Sequence, residues 1–508
     1  MNIYSIKKYS LNSTFQRAKG RLDTVNGWQF ITYAILVSGL ILRAVVWWQQ
    51  RSIFLDEANL IRNYVDRTYG QLFHNLDYGQ YAPPLFSVIT KICIDLFRNN
   101  ELSVRLFPLL CSMATLILFR RITHRWLSPP WSCLALAFVA FGAIFIDLAT
   151  ECKQYATDGF VAMGLLEIAH WAGQREFTMR LALFLTALGM TAVWLSMTAV
   201  FILAAIGLWW LTRSISANEH QTTIRLVFVG IGWAISFLGY FFLLLKSNAE
   251  SAYLQSYHSE YFLAFPPASI DRLQLLGNQL QGLADRAIGK TVLAIILAGV
   301  GFIVGSWQLV KRRNELFWLG LIPIILCFIT SSFHYYSIIP RLTLFFLPLA
   351  VLVVFCGLAA LSAWRVSYLV LFTLAVVVLS NHQRLGNLFS PFHSDYGEVR
   401  DGLQYIAQQQ RPGEIVFMNH NVAPIARYYL QYRNSPIHLR SVLLQEPRTS
   451  SSDIFQDAIL QLHRRGRSKV WLLYDRSDEL LSTFAATQGK VLKRHNFERG
   501  YVLLLEFY

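Results

Sequence analysis

Asp56 and Glu57 stand side by side in the stretch FLDEANLIRNYVDR, residues 54–67, directly after an apolar run that ends in VVWWQQ. Adjacent acids at such an exit suit proton transfer, with one carboxylate taking a proton from a hydroxyl while nearby cations steady a departing anion. Three more clusters mix acids, bases and tyrosines at the ends of apolar runs. They are DYGQYAPP (Asp77 to Pro84), ECKQYATD (Glu151 to Asp158) and FHYYSIIPRL (Phe333 to Leu342). Ionisable groups next to hydrocarbon are costly unless they pair or serve a site. Structural accounts stand beside the chemical one. Glu151, Lys153 and Asp158 also suit an ion-pair knot, Arg341 a snorkelling anchor, and Asp56 with Glu57 a pair of charges favoured at a helix N-terminus.

The elements that must position these residues follow from composition. Of 508 residues, 54% are hydrophobic and 15% charged, and the mean hydropathy is positive, which excludes an ordinary soluble enzyme. The formal charge of +15 is scattered in short bursts between apolar runs, so it speaks for membrane topology and against nucleic acid as a partner. Five of the six cysteines lie inside apolar segments, and neither a disulfide framework nor a metal-type cysteine spacing is present. The run after the basic N-terminus is long and lacks a small-residue cleavage site, so it is expected to stay as an anchor.

A bilayer requires about 20 apolar residues per helix, which gives about 11 transmembrane helices. They centre on residues 28–49, 102–119, 131–148, 158–171, 180–195, 198–212, 224–245, 291–310, 316–330, 341–361 and 366–380. Lys and Arg collect at the N-terminus, in RRITHR (120–125), at Arg175, Arg180, Arg213 and Arg225, in KRR (311–313) and at Arg365. Such residues stay cytoplasmic. The expected plan is a cytoplasmic basic N-terminus (1–27), a transmembrane region (28–380) whose outer loop 50–101 carries juxtamembrane helices, and an extracytoplasmic C-terminal domain (381–508).

Within the outer loop, Ala58, Ile61 and Val65 recur at helical spacing, as do Leu60 and Tyr64, with Arg62, Asn63, Asp66 and Arg67 on the other side. A helix lying on the membrane surface fits this pattern. PPLFSVITKICIDLF, from Pro83 to Phe97, opens with prolines suited to a helix start and predicts a second. The C-terminal part alternates helix-like EVRDGLQYIAQQQ, VAPIARYYLQY and SDIFQDAILQLHRR with strand-like EIVFMN, PIHLRSV and KVWLLYD, and closes on YVLLLEFY. This predicts a small α/β domain. It has no Gly-rich phosphate loop.

A first span followed by an outer LDEA helix, then YAPPLF, SVRLFPLL, ECKQYATD and PRLTLFFLP, resembles membrane glycosyltransferases of the GT-C fold. The likeness runs to the dolichyl-phosphate-mannose protein mannosyltransferase family and its bacterial aminoarabinose transferase-like relatives. It covers residues 28 to about 360 in layout.

The resemblance implies an inverting transferase that moves a hexosyl or pentosyl group from a polyprenyl-phosphate donor to an acceptor hydroxyl on the extracytoplasmic face. It implies Asp56 as catalytic base, Glu57 as the acid beside it, Glu151 or Asp158 as the second-loop acid, and Arg341 as a contact to the lipid phosphate. Relatives often show His-Pro-Pro or Glu-Lys-Pro where this chain has YAPP, and Lys153 is the candidate to replace that contact. The α/β tail differs from the β-trefoil insertion of the eukaryotic mannosyltransferases. The acceptor is accordingly a glycan, lipid or protein, and the setting a bacterial cytoplasmic (inner) membrane, with the N-terminus inside and the C-terminus outside. A divalent metal is compatible but not required: Asp56, Glu57, His74, His258 and His334 offer ligand atoms without diagnostic spacing. The alternative is a transporter or flippase of lipid-linked glycan, for which broken helices and related halves are the expected marks. No repeated half stands out in the sequence.

Overall fold

The computed structural model describes residues 27–267, 269–287, 291–361, 398–419, 421–444, 469–475, 487–497 and 500–507. The chain forms two compact units, one from residues 1–45, 109–149 and 155–385, the other from 46–108, 150–154 and 386–508.

The first unit is helical. Gly27–Trp48, Leu106–Trp126, Ala199–Ser216, His220–Leu245 and Val292–Arg312 are long and apolar enough to cross a bilayer, and Pro129–Phe141 with Ala143–Thr150 makes a sixth if the pair, bent by 52°, is one span. Shorter apolar helices follow at Met179–Leu195, Phe317–Ser332 and Leu347–Leu361. Tyr155–Ala172 is also helical. Every expected span except 366–380, which lies outside the described residues, falls on a helix. One start is corrected: the span expected from residue 341 begins as a helix at Leu347, and residues 340–346 form turns after Pro340. Ile224 (70% exposed), Ile235 (63%) and Ile303 (69%) point outward, which suits lipid rather than water.

Two details show how these helices meet. Gly301 and Gly305 lie against Gly357, where an added Cβ would overlap the Gly301 carbonyl oxygen. Small residues four apart permit that approach in a membrane, where close van der Waals packing has to hold helices together. At the 52° bend, the helix that stops at Phe141 leaves late carbonyls without a following turn. The buried Arg43 guanidinium takes two of them, Val139 and Ala140, each at 2.9 Å, and also donates to Ser112 Oγ and the Gly39 carbonyl. Arg43 lies inside what reads, from sequence, as one apolar run.

In the second unit the expected helices form at Leu55–Asp66 and Pro84–Phe97, the latter with Pro84 in its first turn. A one-turn helix, Glu101–Val104, is capped by Asn100, whose side-chain oxygen accepts the Leu102 and Ser103 amides. The C-terminal domain carries β1 (Ile415–Met418), β2 (Val442–Leu444), β3 (Lys469–Asp475), β4 (Gly489–Asn496) and β5 (Gly500–Phe507) in the order β2-β1-β3-β5-β4. β1 pairs in parallel with β2 and β3, whereas β5 runs antiparallel to β3 and β4. Phe417, Val470, Leu472 and Leu505 form its core. The helix Val399–Gln409 is as expected, and the helix expected at 422–432 is Ala423–Arg427 continued by a π-helical turn, Tyr428–Tyr432. PIHLRSV becomes strand only from Val442, and β4 had no counterpart in the sequence reading. As an exposed edge carrying Lys490, Lys493 and Arg494, β4 lacks the alternation that reveals a half-buried strand. The helix-like stretch 452–465 lies outside the described residues.

Candidate functional site

The Leu55–Asp66 helix follows an extended segment, and its first turn carries both acids. Neighbouring helical residues point about 100° apart, so the pair meets two environments. Glu57 turns inward and is wholly unexposed, while the Asp56 side chain keeps 34% exposure.

Glu57 is fully engaged. Arg105 approaches it with Nε on Oε1 at 2.9 Å and Nη2 on Oε2 at 2.5 Å, the fork geometry of a bidentate pair. The Cys152 amide donates to Oε1 at 2.6 Å and the Phe54 amide to Oε2 at 3.4 Å. Arg105 also donates to the carbonyls of Arg51 (2.7 Å) and Ser52 (3.2 Å). Burial alone would lower the Arg105 pKa, but Glu57 more than reverses this, so it ends above the ordinary arginine value. The Glu57–Arg105 pair thus joins the segment before the helix, the helix itself, the entry to the next span and the Glu151–Lys153 turn.

Asp56 faces Lys153, whose Nζ lies 3.9 Å from Oδ2 and donates to Gln80 Oε1 at 2.8 Å. The Lys153 side chain is only 7% exposed. Gln80 belongs to DYGQYAPP, which is tied to the acid-bearing helix through Asn63. The Asp77 amide donates to Asn63 Oδ1 at 2.8 Å, and Arg67 Nη2 lies 2.8 Å from Asp77 Oδ2. Gly79 takes a φ of +62° in this turn, a backbone shape that glycine adopts without strain. The polar side expected to be open is therefore partly covered: Arg62 and Asn63 are buried, with Arg62 3.8 Å above the Tyr78 ring.

The structure brings Asp56, Glu57, Lys153 and Glu151 into one unit and leaves Asp158 and Arg341 in the other. Glu151 is buried, and its carbonyl accepts the Lys153 amide at 2.8 Å. Asp158 heads the Tyr155–Ala172 helix and accepts Ser196 Oγ at 2.6 Å. Arg341 sits in the turns before Leu347, with Nη2 3.4 Å from the Tyr257 hydroxyl. Burial, and then Arg341, hold the His258 pKa below the usual imidazole value. Among the described residues no group of three or more His, Cys, Asp and Glu side chains is placed to hold a metal ion.

Arg105 and Gln80 are the participants that sequence reasoning missed. Gln80 sat inside a quoted cluster. Arg105 had one signal, an arginine at the entry to an apolar run, which a snorkelling anchor explains equally well.

No protein-family model and no curated protein sequence matches the chain. Solved structures do. ArnT from Cupriavidus metallidurans bound to undecaprenyl phosphate aligns over 94% of this chain and 98% of its own, at 13% identity and TM-score 0.53. The same protein in the apo state gives 95% and 98%, 13% and 0.52. The archaeal oligosaccharyltransferase AglB from Archaeoglobus fulgidus, in complex with an inhibitory peptide and a dolichol-phosphate, aligns over 90% of this chain and 71% of its own, at 12% identity and TM-score 0.50. At such identity the likeness is one of fold: the chain has the GT-C fold.

Proposed function

We propose that the chain is an inverting glycosyltransferase of a bacterial cytoplasmic membrane, moving a hexosyl or pentosyl group from a polyprenyl-phosphate donor to an acceptor hydroxyl at the extracytoplasmic face. The observation that carries the reading is the division of labour within the acid pair. Glu57 is held by Arg105 and two backbone amides and is wholly unexposed, while the Asp56 side chain keeps 34% exposure, 3.9 Å from the buried Lys153. The undecaprenyl phosphate of the ArnT structure and the dolichol-phosphate of the AglB structure support a lipid-linked donor.

In the proposed step Asp56 takes the proton of the acceptor hydroxyl as its oxygen attacks the anomeric carbon. The bond from that carbon to the phosphate oxygen breaks, and the polyprenyl phosphate leaves with the electron pair. A single displacement inverts the anomeric centre. Lys153, in the same unit as Asp56, meets the phosphate charge; Arg341 is the second candidate for that contact. Glu57 touches no substrate and acts as a positioning residue through Arg105. Of the two second-loop acids, Glu151 shares the unit of Asp56 and takes the supporting role, leaving Asp158 a structural one. The acceptor is a glycan, lipid or protein.

One observation favours the transporter or flippase reading, namely the 52° bend at Gly142 with the buried Arg43 serving its carbonyls. Mass spectrometry of polyprenyl-phosphate sugars and envelope glycans, with and without the gene, separates the two. The transferase predicts that one lipid-linked monosaccharide accumulates while one sugar disappears from a glycan. Unchanged pools of lipid-linked monosaccharide in the deletion strain would overturn it.

A further inference from the structure

The C-terminal domain holds the Asp56-bearing loop at several points along its length. Glu101, wholly unexposed, lies between two of the domain's guanidiniums, with Arg433 Nε at 3.0 Å and Arg400 Nη1 at 3.3 Å. Arg400 also donates to the Gln50 carbonyl. The Tyr429 hydroxyl accepts the Ile53 amide at 2.7 Å, just before the Leu55–Asp66 helix begins, and the Tyr432 hydroxyl donates to Asp66 Oδ2 at 2.9 Å, on its last residue. Asn99 joins the same surface, its side-chain amide donating to the Tyr432 carbonyl (3.0 Å) and its own carbonyl accepting the Asn434 amide (2.8 Å).

These contacts have a common geometry. Both tyrosines belong to the π-helical turn Tyr428–Tyr432, a rare local winding that is enriched where function requires an unusual side-chain direction. One reaches the start of the acid-bearing helix and the other its end. Burial, then Glu101, push the Tyr429 phenol above its usual pKa, so it stays neutral. Glu101 lies four residues before Arg105, which grips Glu57. Cations from the domain therefore hold one end of a short turn whose other end fixes Glu57, the residue next to Asp56.

We infer that the C-terminal domain is a positioning element of the transfer site, with Tyr429, Tyr432, Arg400 and Arg433 fixing the helix that presents Asp56. The inference rests on the proposed role of Asp56 as base. A base displaced by about 1 Å forfeits much of its advantage, on the order of 100-fold.

The test uses the full chain in lipid nanodiscs, carrying Tyr429→Phe and Tyr432→Phe. Hydrogen exchange at the amides of residues 53–66 is read alongside undecaprenyl phosphate affinity. Transfer is read as clearance of the polyprenyl-phosphate sugar that accumulates in cells lacking the parent gene. The expected result is exchange faster by about tenfold at 53–66 and transfer lower by about tenfold, with undecaprenyl phosphate binding within about twofold of the parent. Unchanged exchange overturns the inference, as does faster exchange with parental transfer. An equal loss of undecaprenyl phosphate binding overturns it too, because that marks general damage. If the double variant does not fold, Tyr432→Phe alone serves, since its bond to Asp66 is exposed. Exchange is read without any sugar, so a failed clamp is distinguishable from a failed base assignment, which Asp56→Asn tests separately.

Discussion

Glu57 and Asp158 are both buried acids near the end of an apolar run, one in each unit, and the protein accommodates them in opposite ways. Glu57 receives a bidentate guanidinium and two backbone amides, whereas Asp158 receives the hydroxyl of Ser196, itself 3.0 Å from Thr198 Oγ1. A buried carboxylate gripped by a matched guanidinium fork is a rigid strut. One met by a hydroxyl is a lighter fixture that a neutral amide can imitate. The two regions teach that acids in one membrane protein divide by their partners more than by their depth.

The sharpest way to break that comparison is to change Asp56, the partly exposed acid beside the strut. On the proposed function, Asp56→Asn should lower transfer by about 100-fold to 10,000-fold, the usual worth of a positioned base, with folded yield kept. Transfer at the parental rate in purified protein would leave Asp56 as a helix-terminal charge. Next comes Glu57→Gln. A buried Arg105 robbed of its countercharge should destabilise the fold by about 3–5 kcal/mol, visible as lost folded protein in a thermal or denaturant melt. A variant as stable as the parent would refute the strut. The matching change in the other unit, Asp158→Asn, should cost about 1 kcal/mol, since an amide oxygen can still accept from Ser196. A loss equal to that of Glu57→Gln would erase the contrast. Smallest is a change at Arg341. Arg341→Met should move the His258 pKa upward, because a nearby cation is gone, yet leave it below the usual imidazole value, because burial remains. Titration of the His258 ring by NMR reads this, and an unmoved or falling pKa would count against it.

Most of the helices were legible in the sequence because hydrocarbon demands long apolar runs, and the acid pair was legible because charge at the end of such a run is conspicuous. The partners were not. Arg105 lies 48 residues from Glu57, and a lone arginine entering a span looks like any interfacial anchor. Arg43 disappeared inside an apolar window, since one charge barely alters an average over about 20 residues. Glu101, Arg400 and Arg433 carried no local pattern at all, because their relation arises only when the fold brings separate stretches together. The strands with buried apolar residues showed themselves, and the charged edge strand β4 did not.

The second unit draws on residues 46–108, 150–154 and 386–508, and this order has a consequence for how the protein is made. Glu101 leaves the ribosome 299 residues ahead of Arg400. At about 5–20 residues per second, roughly 15–60 s pass before the first of its two ion-pair partners exists. During that interval the loop has its acids and Arg105 but not the tyrosines and guanidiniums of the C-terminal domain. The bonds that Tyr429 and Tyr432 make to the two ends of the acid-bearing helix therefore form only after the C-terminal domain has been synthesised, so the proposed transfer site is completed long after its acids have emerged.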